Sequence, residues 1–187
     1  MSGEIKWRTL IGMTIANDRS AFLRSMRAIR EFRPDPIPNA IIDDILEVAR
    51  WTGSAMNSQP WQIIVVRDRN ALQNMANANG YVKHLATAAV GIVVVMEGAG
   101  HDFDEGRLAE RICLAAAAHG VGAGIGWFSG DGPNAVKALL GIPANDEVRT
   151  AIALGYPSEQ ALKIRTKPGE ARKQLSKIVH NERFGSQ

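Results

Sequence analysis

Two stretches limit what this chain can fold into more than any others: Gln62-Ile63-Ile64-Val65-Val66 and Val90-Gly91-Ile92-Val93-Val94-Val95-Met96. Both are rich in β-branched residues, and beyond Gln62 they are continuously apolar. A strand packed on one face alternates apolar and polar residues, so these runs predict strands covered on both faces. They are expected to lie side by side at the centre of a sheet. The longest apolar run, Ala88 to Met96, is too short to cross a bilayer as a helix. Met1 to Ile15 has no continuous apolar segment behind basic residues, so neither export nor membrane insertion is expected.

Helical patterns surround these runs. Ser20 to Ile29 alternates apolar and basic residues at helical spacing until Arg33-Pro34-Asp35-Pro36-Ile37-Pro38 breaks it. Asn39 is placed to cap a second helix whose apolar face is Ile41, Ile42, Ile45, Leu46 and Ala49, with Asp43, Asp44 and Glu47 facing away. Arg107 to His119 reads as an alanine-rich helix with small side chains suited to close helix packing, ended by Gly120. A helix over Pro133 to Leu140, a strand over Ala151 to Leu154 and a basic helix around Ala171 to Val179 complete the pattern. The fold class is α+β, a mixed central β-sheet surrounded by helices. With 187 residues, the chain reads as a single domain over 1–187, residues 1–19 forming an N-terminal extension.

Hydrophobic residues make up 45% and charged residues 22%, as in an ordinary globular protein rather than a disordered one. The net charge of +3 comes from basic residues interleaved with acidic ones, which describes a solvated surface and not a nucleic-acid interface. Cys113 is the single cysteine. It has no disulfide or zinc-cluster partner, and a reducing cytoplasm fits it best. His84, His101, His119 and His180 have no metal-ligand spacing, and no metal is expected. No serine sits in a G-x-S-x-G elbow and no lysine in a phosphate-binding loop, so no catalytic side chain is assigned.

The chemistry-bearing segment is Gly53-Ser54-Ala55-Met56-Asn57-Ser58-Gln59-Pro60-Trp61. It gathers two hydroxyls and two carboxamides into a short turn before the first apolar run. Asn57 and Gln59 each offer a donor and an acceptor, which suits the pyrimidine edge of a flavin. Upstream, Arg27-Ala28-Ile29-Arg30 puts two guanidiniums on adjacent turns of the expected helix, and such forks fit a phosphate. Alone, the arginines read more readily as solvated helix residues, and it is the paired Asn57 and Gln59 turn that reverses this. The alternating glycines of Gly120 to Gly126 match no register of G-x-G-x-x-G and follow a helix, so they are no dinucleotide fingerprint. They mark close backbone approach, to a packed neighbour or to a flat ligand.

Together these elements resemble the FMN-dependent nitroreductase family, which carries a basic R-R-S-x-R-x-F/Y element and then S-x-x-N-x-Q-P-W. Gly155-Tyr156-Pro157 and Val179 to Phe184 match its later elements. The chain departs from the family at Met26 and Ala28, which usually hold arginine and serine. The resemblance implies an intertwined homodimer with FMN at the subunit interface, the Arg107–His119 helix and the tail past Pro157 crossing the dimer axis. It assigns phosphate binding to Arg27, the Ala28 backbone N–H and Arg172, and the flavin N1/C2 edge to Arg30. The pyrimidine falls to Asn57 and Gln59, with Ser54 a cofactor-binding residue of the same turn, and the flavin N5 to the backbone amides of Ser129 and Gly130. It tips the glycine run toward a ligand role and flags His84 as a basic residue over the flavin. The implied activity is hydride transfer from NADH or NADPH through flavin N5 to a nitroaromatic, quinone or similar small aromatic acceptor. A non-catalytic flavin-storage role and the dehalogenating and flavin-cleaving branches are the alternatives. Only Glu97 to Glu105 joins Met96 to the next helix, which leaves no long lid.

Overall fold

The computed structural model describes residues 13–163 and 172–186, with side chains from Asp18 onward. In chain order the helices are α1 (Met13–Ser25), α2 (Asn39–Arg50), α3 (Arg69–Asn77), α4 (Asp102–Ala118), α5 (Gly132–Leu140) and α6 (Glu159–Lys163). The strands are β1 (Trp61–Val66), β2 (Val90–Met96), β3 (Gly122–Trp127) and β4 (Glu147–Gly155), and they form a sheet in the order β1-β2-β4-β3.

Every residue of β2 is buried, as the continuous apolar run predicts. Its side chains alternate between two cores. Val90, Ile92, Val94 and Met96 join Ile152 and Leu154 of β4 beneath Ile42 and Ile45 of α2 and Leu108 and Ile112 of α4. Val93 and Val95 join Ala151 and Ala153 on the other face, against Leu72 and Met75 of α3, Leu85 and Val136 of α5. Thus α2 and α4 form one outer layer, and α3, α5 and the 3-10 turn Lys83–Thr87 form the other. Asp68 caps α3 by accepting the Ala71 N–H at 2.7 Å.

Several expectations are corrected. The two apolar runs do pair, but β1 is an edge strand with mostly half-buried side chains. The sheet is not mixed: β1–β2, β2–β4 and β3–β4 all pair antiparallel. Strands β2 and β3 run parallel, but β4 returns between them, so their parallel relation never becomes a ladder. Residues 1–12 lie outside the described chain, and the expected boundary at residue 19 falls inside α1. Asn39 is the first helical residue, after Pro38, and its carboxamide oxygen accepts from Arg67 at 3.2 Å instead of capping. Of the tail helix expected over 171–179, the described part is one 3-10 turn, Leu175–Lys177. Of the alanines of α4, Ala109, Ala115 and Ala116 are buried in the α2-side core, Ala117 is half-buried and Ala118 is exposed.

The register of β4 slips between the partners of Val93 and Val95, where Ala151 and Val148 stand opposite them. One extra residue on β4 inverts the alternation. Val148 therefore joins the α3-side core, and Arg149 reaches Asp102 and Glu105 at the start of α4.

The glycines of β3 have a packing cause. A Cβ at Gly122 would lie 3.0 Å from three side-chain carbons of Ile29, one at Gly124 would overlap the Ile29 carbonyl oxygen, and one at Gly126 would overlap that of Tyr81. The run therefore admits neighbouring backbone rather than a flat ligand. Gly124→Ala is expected to lower the free energy of unfolding by about 1–3 kcal/mol in denaturant titration.

Cys113 is buried, and that burial pushes its thiol up to about 12. The unfolded thiol loses its proton near its ordinary value while the folded one keeps it. The folded state thus binds more protons, and this contribution to stability, full below about pH 9, fades as pH rises toward 12. The native thiol should stay unreacted with a thiol-specific disulfide reagent at pH 8 and react at once in denaturant.

Candidate functional site

Three non-glycine residues in the turn before β1 have left-handed backbone: Met56 (φ 50°), Asn57 (φ 56°) and Gln59 (φ 50°). Such conformations cost roughly 1–2 kcal/mol per L-residue, least for asparagine. Strain of this kind persists only where surrounding contacts enforce it. The Ser54 hydroxyl oxygen accepts the Gln59 N–H at 2.8 Å, and the Asn57 and Ser58 N–H groups donate to the Ser54 and Ala55 carbonyls at 3.1 and 3.0 Å. The Gln59 carboxamide donates to the Asn57 carbonyl at 3.3 Å. Asn57 and Gln59 are exposed, and the Asn57 carboxamide makes no hydrogen bond among the described residues.

The turn is held at both ends. Glu97 N–H donates to the Pro60 carbonyl at 3.0 Å, and Ala55 N–H donates to Oδ2 of Asp104 at 3.2 Å. Asp104 and its neighbour Glu105 are each 4% exposed. The Arg107 guanidinium stands 3.6 Å from Asp104 Oδ1. Glu105 accepts from Arg149 at 2.7 Å, and this contact with Asp102 and Glu105 holds the guanidinium above its ordinary pKa. None of Asp104, Glu105 or Arg149 stands out in the sequence. A carboxylate-rich helix start reads as a complement to the helix dipole, and no local pattern ties Asp104 to a turn 49 positions away.

Arg27, Ala28 and Arg30 lie elsewhere. Helix α1 ends at Ser25, so the two arginines do not occupy adjacent helical turns. The segment is extended and docks beside β3, with Ile29 N–H donating to the Ala123 carbonyl at 2.8 Å and Arg33 N–H to that of Tyr156 at 2.8 Å. Arg27, Ala28 and Arg30 are exposed. Arg27 turns back on the Arg24 and Met26 carbonyls at 2.9 and 2.6 Å.

Beyond the other end of β3, Ser129 N–H donates to the Asn79 carbonyl at 2.9 Å, so this amide is already engaged. Gly130 has φ 54°, which explains the glycine, and its N–H has no partner among the described residues. Arg172 is exposed on the tail. The Ser54–Gln59 turn and the Ser129–Gly130 pair therefore flank opposite edges of the sheet, three strand spacings or about 14 Å apart. No hydrogen bond or ion pair joins the turn to the Arg27–Arg30 segment.

His84 is buried beneath β3, its Nε2 3.0 Å from the Gly124 carbonyl and its ring beside Gly124 and Gly126. It packs the strand and does not project over a ligand. Burial lowers its pKa, helped by the Arg30 charge and opposed by the Gly124 hydrogen bond. Among the described residues no group of His, Cys, Asp or Glu could hold a metal ion, and no helix is long and apolar enough to cross a membrane.

Known proteins resemble the chain in sequence and in shape. The model of the nitroreductase family matches residues 23–82, which include Arg27, Ala28, Arg30 and the whole turn. The chain is 32% identical over 173 residues to an NADH dehydrogenase of Thermus thermophilus, with 72% of this chain and 84% of that one covered. It is 34% identical over 143 residues to a putative NADH dehydrogenase/NAD(P)H nitroreductase of Archaeoglobus fulgidus, covering 72% and 82%. An FMN-dependent nitroreductase from Clostridium difficile superposes with a TM-score of 0.78 at 23% identity, covering 87% of this chain and 98% of that one. A putative NADH dehydrogenase/NAD(P)H nitroreductase from Bacteroides thetaiotaomicron gives 0.75 at 26% identity, covering 90% and 99%.

The buried histidine sets a pH dependence. Its folded pKa is depressed, so below the ordinary histidine value the unfolded chain binds more protons and stability falls with falling pH. Denaturant titrations between pH 8 and 5 should show this loss, and His84→Gln should flatten it.

Proposed function

The chain belongs to the nitroreductase family of oxidoreductases, and on that premise we propose that it is an FMN-dependent enzyme that oxidises NADH or NADPH and reduces a small aromatic acceptor such as a nitroaromatic or quinone. The observation that carries this reading is the strained turn. It spends backbone energy to present the carboxamides of Asn57 and Gln59 outward, one of them unengaged, where a planar ligand with alternating donors and acceptors would satisfy them. The residues present fit FMN: Ser54 retains its hydroxyl proton, Gly130 has an N–H to donate, and Arg27, the Ala28 N–H and Arg172 offer cationic and amide donors to a phosphate.

When bound, the flavin supplies hydride acceptance and donation at its N5, so no side-chain nucleophile is required. The protein's part is to orient and to stabilise charge. Asn57 and Gln59 fix the ring's register through paired donor and acceptor contacts. Arg30 would offer a permanent cation to the pyrimidine edge, where it would stabilise negative charge on the bound ring. Only residues 97–101 join β2 to α4, so that connection carries no covering lid. This supports an open site with broad acceptor tolerance.

A second copy of the chain completes the proposed site. The turn and the Arg27–Arg30 segment lie on separate parts of one subunit, and a homodimer brings one copy's turn to the other's arginines. Two further features support it. All described side chains of α1 are exposed, including Phe22 and Leu23, and on the tail so are Leu175, Ile178, Val179 and Phe184. A helix of α1's length is marginal without tertiary packing.

FMN titration should show saturable quenching of flavin fluorescence, and the loaded protein should consume NADH or NADPH steadily once a nitroaromatic or quinone is added. Arg30→Ala should slow flavin reduction about tenfold while changing FMN affinity much less, because its cation acts on charge that appears only on reduction. A protein that takes up no FMN overturns the reading, and one that binds FMN without turnover supports the storage role instead.

A further inference from the structure

Asp104 has no part in the mechanism above, yet its placement is costly. It is a carboxylate 4% exposed, its nearest cation is 3.6 Å away, and its Oδ1 has no hydrogen-bond partner. Burying an incompletely paired carboxylate does not favour the fold by itself. What it gains is one contact, the hydrogen bond from Ala55 N–H to Oδ2. Ala55 opens the 3-10 turn that carries Met56 and Asn57, immediately before the left-handed residues. The bond from Ser54 to Gln59 closes the turn on itself, and Glu97 pins its far end at Pro60. Among the described residues, Asp104 is the one side chain outside the turn that hydrogen-bonds to its near end.

A second observation points the same way. The Arg107 guanidinium lies over Gly53, where an added Cβ would stand 2.7 Å from a guanidinium nitrogen. The counter-charge of Asp104 therefore stands directly beside the residue that leads into the hydroxyl and carboxamide motif.

We propose that Asp104 is a positioning residue for the flavin site: by accepting the Ala55 N–H it holds the strained turn so that Asn57 and Gln59 are preset for the pyrimidine edge, with Arg107 over Gly53 as its counter-charge. This rests on the assignment of the turn to FMN made above. Without the clamp the turn relaxes, and its ordering is charged against flavin binding.

The test is FMN and riboflavin titration of wild type, Asp104→Ala, Asp104→Asn, Ala55→Pro and the Asp104→Ala/Ala55→Pro pair. Circular dichroism and melting confirm the fold of each. Asp104→Ala should weaken FMN binding about tenfold, and Asp104→Asn, whose carbonyl oxygen still accepts the amide, should stay within about threefold. Ala55→Pro removes the donor at a position whose preceding residue is already extended (Ser54 φ −133°, ψ 166°), as proline requires. It should match Asp104→Ala, and the pair should lose no more than either alone. Riboflavin should weaken in parallel with FMN, since the turn reads the ring and not the phosphate. In the FMN-free protein the Ala55 amide should exchange its hydrogen faster in Asp104→Ala.

The proposal is overturned if Asp104→Ala or Ala55→Pro binds FMN as wild type does, if the two effects multiply in the pair, or if the asparagine fails to rescue. Asn57→Ala separates the two readings. If it weakens FMN binding and the clamp variants do not, only this inference falls. If wild type binds no FMN, both fall together. Should Asp104→Ala fail to fold, the comparison of Ala55→Pro with Asp104→Asn decides.

Discussion

The subunit depends first on the antiparallel pairing of β2 with β4. These strands are central in the sheet, and their side chains form the floor of both cores. Ile152 and Leu154 complete the floor under α2 and α4, while the small Ala151 and Ala153 sit on the opposite face. Both helical layers therefore take their position from one ladder. The strand that closes the sheet, β3, uses three alternate glycines to let the chain before Phe32 and the loop around Tyr81 come up against it. This covers an edge that would otherwise offer free backbone to another chain.

From that frame the polar chemistry gathers at one end of the sheet, where β1, α4 and β4 begin and β2 ends. The bulge in β4 matters here more than its size suggests. By adding one residue it aims Arg149 at Asp102 and Glu105, and so gives the acidic start of α4 a partner across the sheet. The same helix start reaches the strained turn through Asp104. A conformation that three left-handed residues make unfavourable is thus tied to the buried start of a core helix, as a binding surface needs if its donors and acceptors are to be set in advance.

The separation of the turn from the arginine segment has its own logic. A flat cofactor read on one side by carboxamides and on the other by cations needs two walls. In the proposed site these two walls come from two copies of the chain, since among the described residues the turn and the arginine segment lie on separate parts of one subunit. In the dimer proposed above, the exposed apolar side chains on α1 and on the tail would be buried by the second copy, and such burial is the ordinary driving force for assembly.

The strand β2, the amphipathic face of α2, the helix α5 and the strand β4 were legible from local pattern, because periods of 2 and 3.6 residues report burial directly. The turn motif and the arginine pair were legible as chemistry, and they named the family that the comparisons support. The alternating glycines were visible as a close approach, but whether to protein or ligand depended on Ile29, His84 and Tyr81, which lie far off in sequence. The end of α1 at Ser25, five residues before Arg30, was hidden because the arginines continue a helical spacing while the backbone instead bonds to Ala123. Asp104 and Arg149 were invisible for the same reason: their partners stand 49 and 44 positions away, and a register slip decides one of them. The sequence by itself determined that β2 must be buried and which apolar face α2 turns inward, and it named the family. Only the tertiary structure decided what each segment packs against, because packing, bulges and long-range hydrogen bonds are set by neighbours that no local period encodes.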